Sequence, residues 1–236
     1  MSVHNGHRQR MRGRYMKEGL DGFEEHQVLE LILFYCIPRK DTNELAHRLI
    51  KRFGSLAQVL EAPADAIAEV EGIGRNVATY LSLLRDFTRY YQVNSVIQNK
   101  HLCSIEDCYN YLKPYFDGRT VETVYMLSLD AKTMVLNCRM LGEGGINSAG
   151  ISVRDVVKAA LEDGATSVVL AHNHPSGIAL PSIEDVAITR QLARALQSID
   201  VRLADHIILV RNDYTSIASS EGYRDALIVD DSGVSI

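Results

Sequence analysis

The hydrophobic positions of this chain change period near residue 100. Before it, apolar residues recur at helical spacing. Val28, Leu29, Leu31, Ile32 and Phe34 define a helix over 23–37 that Pro38 ends. Leu45, Leu49 and Phe53 define a second, opened by Asp41 or Thr42 and stopped by Gly54. Ser55 opens a short helix to residue 60, Pro63 begins another that Gly72 ends, and a long helix follows from Arg75 to residue 91. Over 92–101 the period fails and polar residues collect, which marks a domain boundary. Ser104 to Asp107 reads as a capping box opening a helix to residue 115. Beyond Gly118 the texture is that of strands. Segments 123–129 and 133–140 flank a turn at Asp130, 166–171 is a nearly continuous apolar run, and 201–210 and 214–218 follow. Helices over 153–161 and 182–198 alternate with them. The pattern predicts a small all-α domain over 1–95, a linker and connecting helix over 96–113, and a mixed α/β (α+β) domain over 114–236.

Charge sharpens this division. The formal net charge is −5, from 25 Lys and Arg against 30 Asp and Glu. Residues 1–100 hold 14 basic and 12 acidic side chains, which leaves 11 and 18 for 101–236. Arg8, Arg10, Arg12, Arg14 and Lys17 form a positive pole with no acid in the first 17 residues. This excludes a binder that uses its whole surface on nucleic acid. It leaves two readings of the pole, a local phosphate contact or a solubilising first helix. No apolar run reaches the roughly 18 residues of a membrane span, and no apolar core follows the basic start as in a secretory signal. Cys36, Cys103, Cys108 and Cys138 lack Cys-x-x-Cys spacing and read as reduced thiols of a cytoplasmic protein.

The chemistry concentrates between Ala171 and Asp185. His172 and His174 stand two apart at a strand end, where alternation puts both imidazoles on one face and suits them to a divalent metal. Pro175, Gly177 and Pro181 turn the chain back, and Ser182 caps the next helix with Asp185 in its first turn. Asp185 is either half of a capping box or a third metal ligand. Two histidines and a carboxylate leave a fourth tetrahedral position open, the pattern of a catalytic zinc site. Hydrolysis then needs a carboxylate to move protons. Glu122, at a strand entrance, and Glu143, in the turn Gly142 to Gly145, are the candidates, and spacing does not separate them. Ser182 is a candidate oxyanion donor, in competition with its cap. His206 reads as a strand histidine close to the site rather than a ligand. A magnesium-type nuclease is disfavoured, because the cluster is led by histidine.

His172-x-His174-Pro175, followed by Ser182 and Asp185, resembles the JAMM motif of MPN-domain metalloproteases. The longer string from Ala171 to Gly177, with Pro181, Ser182, Glu184 and Asp185, is similar to the bacterial RadC (UPF0758) family. Glu18 to Gly22, Ile37 to Asn43 and Arg52 to Leu56 extend the likeness over nearly the whole chain. The resemblance implies a helix-hairpin-helix domain followed by an MPN (JAMM, cytidine-deaminase-like) domain. It implies zinc on His172, His174 and Asp185, Glu122 activating water, Ser182 stabilising the tetrahedral intermediate, and a peptide or protein substrate. Ile67, Val70, Gly72, Gly74 and Ala78 resemble the helix-hairpin-helix itself. Gly72, Gly74 and Arg75 would then face a DNA phosphate. Alternatively the two glycines serve only a tight turn between helices. Two functions therefore remain: a zinc metallopeptidase or isopeptidase, and a DNA-binding accessory protein of repair or recombination whose metal is structural or vestigial.

Overall fold

The structure, a computed structural model, describes residues 3–38, 40–95, 100–144 and 152–229. The chain divides into two compact units, residues 1–90 and 91–236. The first is helical: α1 (Val3–Glu18), α2 (Glu25–Cys36), α3 (Asn43–Phe53), α4 (Leu56–Glu61), α5 (Ala64–Ala68) and most of α6 (Arg75–Ser95). Leu29, Leu33, Leu49, Ile67 and Leu81 meet in its core. The segment predicted as one helix from Pro63 to Gly72 is helical only over Ala64–Ala68. Tight turns replace the rest, with the Val70 amide on Ile67 O at 3.1 Å and the Ile73 amide on Val70 O at 2.9 Å. Three-residue steps keep Ile67, Val70 and Ile73 on the core side.

The basic pole of α1 is partly spent on the fold. Arg8 is buried and donates to Phe34 O (3.3 Å), Ile37 O (2.6 Å) and Lys40 O (2.5 Å), supplying donors to carbonyls around the end of α2. Arg12 lies over the rings of Phe34 and Tyr35, and Arg14 over Phe23.

The second unit holds α7 (Ile105–Phe116), β1 (Thr123–Leu129), β2 (Val135–Glu143), α8 (Val153–Glu162), β3 (Ser167–Asn173), α9 (Ile183–Gln197), β4 (Arg202–Val210) and β5 (Asp213–Ser216). One sheet runs in the order β2-β1-β3-β4-β5. Among the described strands only β3 and β4 pair in parallel, and α9 supplies the crossover that parallel neighbours need. On one face, Val124, Met126, Val168 and Leu170 pack against α8 and α9 through Val156, Ala160, Leu192 and Leu196. On the other, Leu127, Val169 and Ile207 pack against Tyr111, Leu112 and Phe116 of α7. Both faces being covered, β1 and β3 are buried along their whole length. The second unit is thus mixed α+β, and the first is helical. Glu143, expected in a turn, instead ends β2. The hairpin is tied at Asp130, whose carboxylate accepts the Lys132 and Met134 amides, so the strand starts at Val135 and runs on further. Among the described residues no helix is long and apolar enough to cross a membrane.

Candidate metal centre

Alternation along β3 puts Val168, Leu170 and His172 on the face that α9 covers. The antiparallel register of β1 on β3 pairs Val124 with His172, and Glu122 lies two residues before Val124. The parallel register of β4 pairs His206 with Leu170, two residues before His172. After β3 the His174 amide still bonds Leu209 O at 2.9 Å, and the chain then turns sharply. Gly177 makes that turn at φ +84°, where a side chain would be strained. The ring Nδ1 of His174 donates to Ile178 O at 3.0 Å. A carbonyl only accepts, so the proton of a neutral His174 sits on Nδ1 and its Nε2 carries a lone pair.

Ser182 then caps α9. Its hydroxyl accepts the Asp185 amide at 3.0 Å and donates to Asp185 Oδ2 at 2.6 Å, while the Ser182 amide bonds the same oxygen at 2.8 Å. The capping box and the approach to the histidines are therefore one arrangement. Asp185 Oδ1 lies 3.3 Å from His172 Nε2 and Oδ2 lies 3.5 Å from His174 Nε2. The two Nε2 atoms are 2.9 Å apart. Tetrahedral zinc with bonds of about 2.0–2.1 Å has ligand atoms about 3.3 Å from one another. The three spacings bracket that value. Two imidazole nitrogens and a carboxylate packed this closely call for a cation between them, so the donor set fits a divalent metal.

Electrostatics agrees with the geometry. Burial opposes ionisation of Asp185, but the hydrogen bond and charge of a protonated His172, with the Ser182 hydroxyl and amide, outweigh it and hold the carboxyl well below its usual range. His206 is fully buried, and burial first, then the neighbouring His172, drives its pKa well below the ordinary imidazole value.

Glu122 completes the cluster. One carboxylate oxygen lies 4.0 Å from His172 Nε2, and Glu122, His172 and His174 each place a donor atom within 4.8 Å of the others. Its side chain is 33% exposed, against 4% for Asp185. Asn173, the residue between the two histidines, sets this position. It accepts the Thr123 amide at 2.8 Å and donates to Val121 O at 3.1 Å, so one buried carboxamide grips both neighbours of Glu122. Glu143, the rival candidate, accepts Arg119 at 2.6 Å.

The residues considered for DNA lie in the other unit. Gly72 has φ +87°, and a Cβ there would stand 2.7 Å from Leu45 Cδ2, so the fold itself demands this glycine. Gly74 would meet nothing within 4 Å. Arg75 is paired with Asp65 at 2.8 Å, both side chains exposed.

A mixed sheet covered by helices on both faces, with paired histidines at the end of β3 and a capped aspartate on the next helix, defines a JAB/MPN-type domain. Residues 102–223 match the family described as RadC-like JAB domain. The chain is also 33% identical, over 219 residues, to a UPF0758 protein of Fusobacterium nucleatum, an alignment covering 89% of this chain and 94% of that one. The chain belongs to the RadC (UPF0758) family.

Two contributors escaped the sequence reading. The signal for Asn173 is its place between two inward histidines, which leaves it to face the other side of the sheet. Thr189 is the other. Its signal was the four-residue step from Asp185, which puts it on the same face of α9.

Proposed function

We propose that the second unit is a zinc-dependent amide hydrolase of the JAMM type, acting on peptide or protein. The observation that carries this is the meeting of His172 Nε2, His174 Nε2 and the Asp185 carboxylate at 2.9–3.5 Å, with the partly exposed Glu122 standing farther out at 4.0 Å. The three inner residues would hold the ion, and a set of two histidines and one carboxylate with an open position suits zinc. Such an ion supplies Lewis acidity and lowers the pKa of water to about 7. Glu122, reachable from solvent and aimed by Asn173, would take the proton of the attacking water and hand it to the leaving amine. Ser182 holds the Asp185 carboxylate. Donating to a developing oxyanion would mean giving up that 2.6 Å bond.

Metal analysis of the full chain, with hydrolysis of a peptide library as the activity readout, tests the reading. Stoichiometric zinc is expected in the wild type and in Glu122→Gln, with hydrolysis lost in the latter. His172→Ala and Asp185→Ala should lose both. A wild-type protein with no measurable zinc affinity overturns it.

A second reading, DNA contact through the helical unit, is supported by Gly74. Open space surrounds it, so the fold does not require its missing side chain. Salt-dependent duplex binding that weakens in Gly74→Ala, at unchanged stability, would support it, and binding unaffected by Gly74→Ala would count against it.

A further inference from the structure

Behind His172 lies a chain of polar atoms that no contact with solvent interrupts. His172 Nδ1 is 2.8 Å from His206 Nε2. His206 Nδ1 is 2.6 Å from Thr189 Oγ1. Thr189 Oγ1 is 2.5 Å from the main-chain oxygen of Asp185. His172, His206 and Thr189 are each 0% exposed.

The direction of every proton in this chain follows from its far end. A carbonyl oxygen has no proton to give, so the Thr189 hydroxyl donates to Asp185 O. Having spent its only proton, Thr189 Oγ1 accepts from His206 Nδ1–H. A neutral His206 then presents a bare Nε2, which accepts from His172 Nδ1–H. In the neutral ring this leaves the lone pair of His172 on Nε2, the atom that faces His174 and Asp185. The reverse polarity would set Thr189 Oγ1 and Asp185 O against each other at 2.5 Å with no proton between them, away from any water.

We propose that Thr189 and His206 are positioning residues: they hold His172 as the Nδ1–H tautomer and so direct its Nε2 lone pair at the metal. The metal-binding half of the proposal rests on the function proposed above, whereas the tautomer half does not. The relay starts and ends on one helix turn. Asp185 supplies its side chain to the site and its carbonyl to the orientation of the other ligand, so α9 sets both at once. His174 reaches the same tautomer independently, through Ile178 O.

The test uses the full chain with ¹⁵N-labelled histidine. Long-range ¹H–¹⁵N spectra should show His172 protonated on Nδ1 in both zinc-free and zinc-loaded protein. Zinc affinity is measured by competition with a chelator. Thr189→Val keeps the volume but removes the acceptor for His206. It should scramble the His172 tautomer and weaken zinc by about 10-fold or more, within the 10- to 100-fold expected when an orienting partner of a metal ligand is lost. Thr189→Ser should restore both readouts, which mere loss of packing would not explain. His206→Leu should behave as Thr189→Val or worse. A His172 Nδ1 without its proton in the wild type, or zinc affinity unchanged in Thr189→Val, overturns the proposal. Should the wild type bind no zinc, the hydrolase reading falls while the tautomer spectra still decide this one.

Discussion

A 2.8 Å hydrogen bond from the Thr123 amide to the Asn173 carboxamide ties the start of β1 to the residue between the two histidines. Together with the bond from Asn173 to Val121 O, it sets Glu122 beside His172 without touching the Glu122 side chain. Only one orientation of the carboxamide satisfies both partners, because Thr123 offers a donor and Val121 an acceptor.

Asn173→Ala should therefore separate metal binding from catalysis. Zinc content is expected to stay stoichiometric, since the three proposed ligands are untouched. Peptide hydrolysis should fall by about 10²-fold, the usual consequence of misplacing a reacting group by about 1 Å. Unfolding free energy should drop by about 1–3 kcal/mol, because two main-chain groups lose their buried partner. Parallel metal analysis, kinetics and urea denaturation check this, and undiminished hydrolysis would refute the positioning role.

The two hairpin glycines should differ sharply in stability. Gly72→Ala meets both a positive φ and Leu45 Cδ2, and should destabilise by more than about 1 kcal/mol. Gly74→Ala has neither obstacle and should stay within about 0.5 kcal/mol of the wild type. Equal denaturation midpoints for the two variants would contradict this account of the turn.

Removing Arg8 should cost far more than removing an exposed arginine such as Arg48. Its guanidinium serves three carbonyls in a buried setting, so Arg8→Ala is expected to cost about 2–3 kcal/mol. Arg48→Ala breaks exposed contacts with Glu44 and with the carboxylate and main-chain oxygen of Glu71, and should cost far less. Thermal or urea unfolding of both variants gives the comparison, and equal losses would remove the structural role assigned to Arg8.

Thiol reactivity should single out Cys103. It is exposed, with its sulfur 3.1 Å from His101 Nδ1. Cys108 is buried, and burial first, then the charges of Asp205 and Asp107, pushes its thiol from 9.0 up to about 11. Alkylation of native protein near about pH 8 should label Cys103 and spare Cys108 until the chain unfolds. A thiol whose folded pKa is raised favours the fold while protonated. The Cys108 contribution is thus whole below pH 9.0 and is lost as pH rises toward 11, where stability should decline. Peptide mapping by mass spectrometry and denaturation across that range check both points. Native Cys108 labelling as fast as Cys103 would contradict them.

Much of the site was legible because its rules are short-ranged. A His-x-His at a strand end faces one way by alternation alone. Ser182 and Asp185 announce a capping box from three residues of spacing. The capping and ligand readings of Asp185 looked like alternatives in one dimension, yet the carboxylate serves the cap and still meets both rings. Glu122 and Glu143 could not be separated by pattern, because each stands at the end of a β-rich segment. Tertiary contacts separate them: Glu122, just before β1, stands 4.0 Å from His172 Nε2, while Glu143 is drawn to Arg119. The helix predicted from Pro63 to Gly72 failed for a related reason. Core packing of Ile67, Val70 and Ile73 overrode local helical preference.

The sequence by itself determined the helical and mixed halves, the serine caps of α4, α7, α8 and α9, and the face on which the two histidines lie, since each depends on residues within a turn or a strand step of one another. Only the tertiary structure decided which glutamate reaches the histidines, that Asn173 aims it, and that His206 and Thr189 back His172. Those contacts span 17 to 52 residues of chain. They exist because strand register and helix docking, set by the fit of whole buried faces, bring distant positions together.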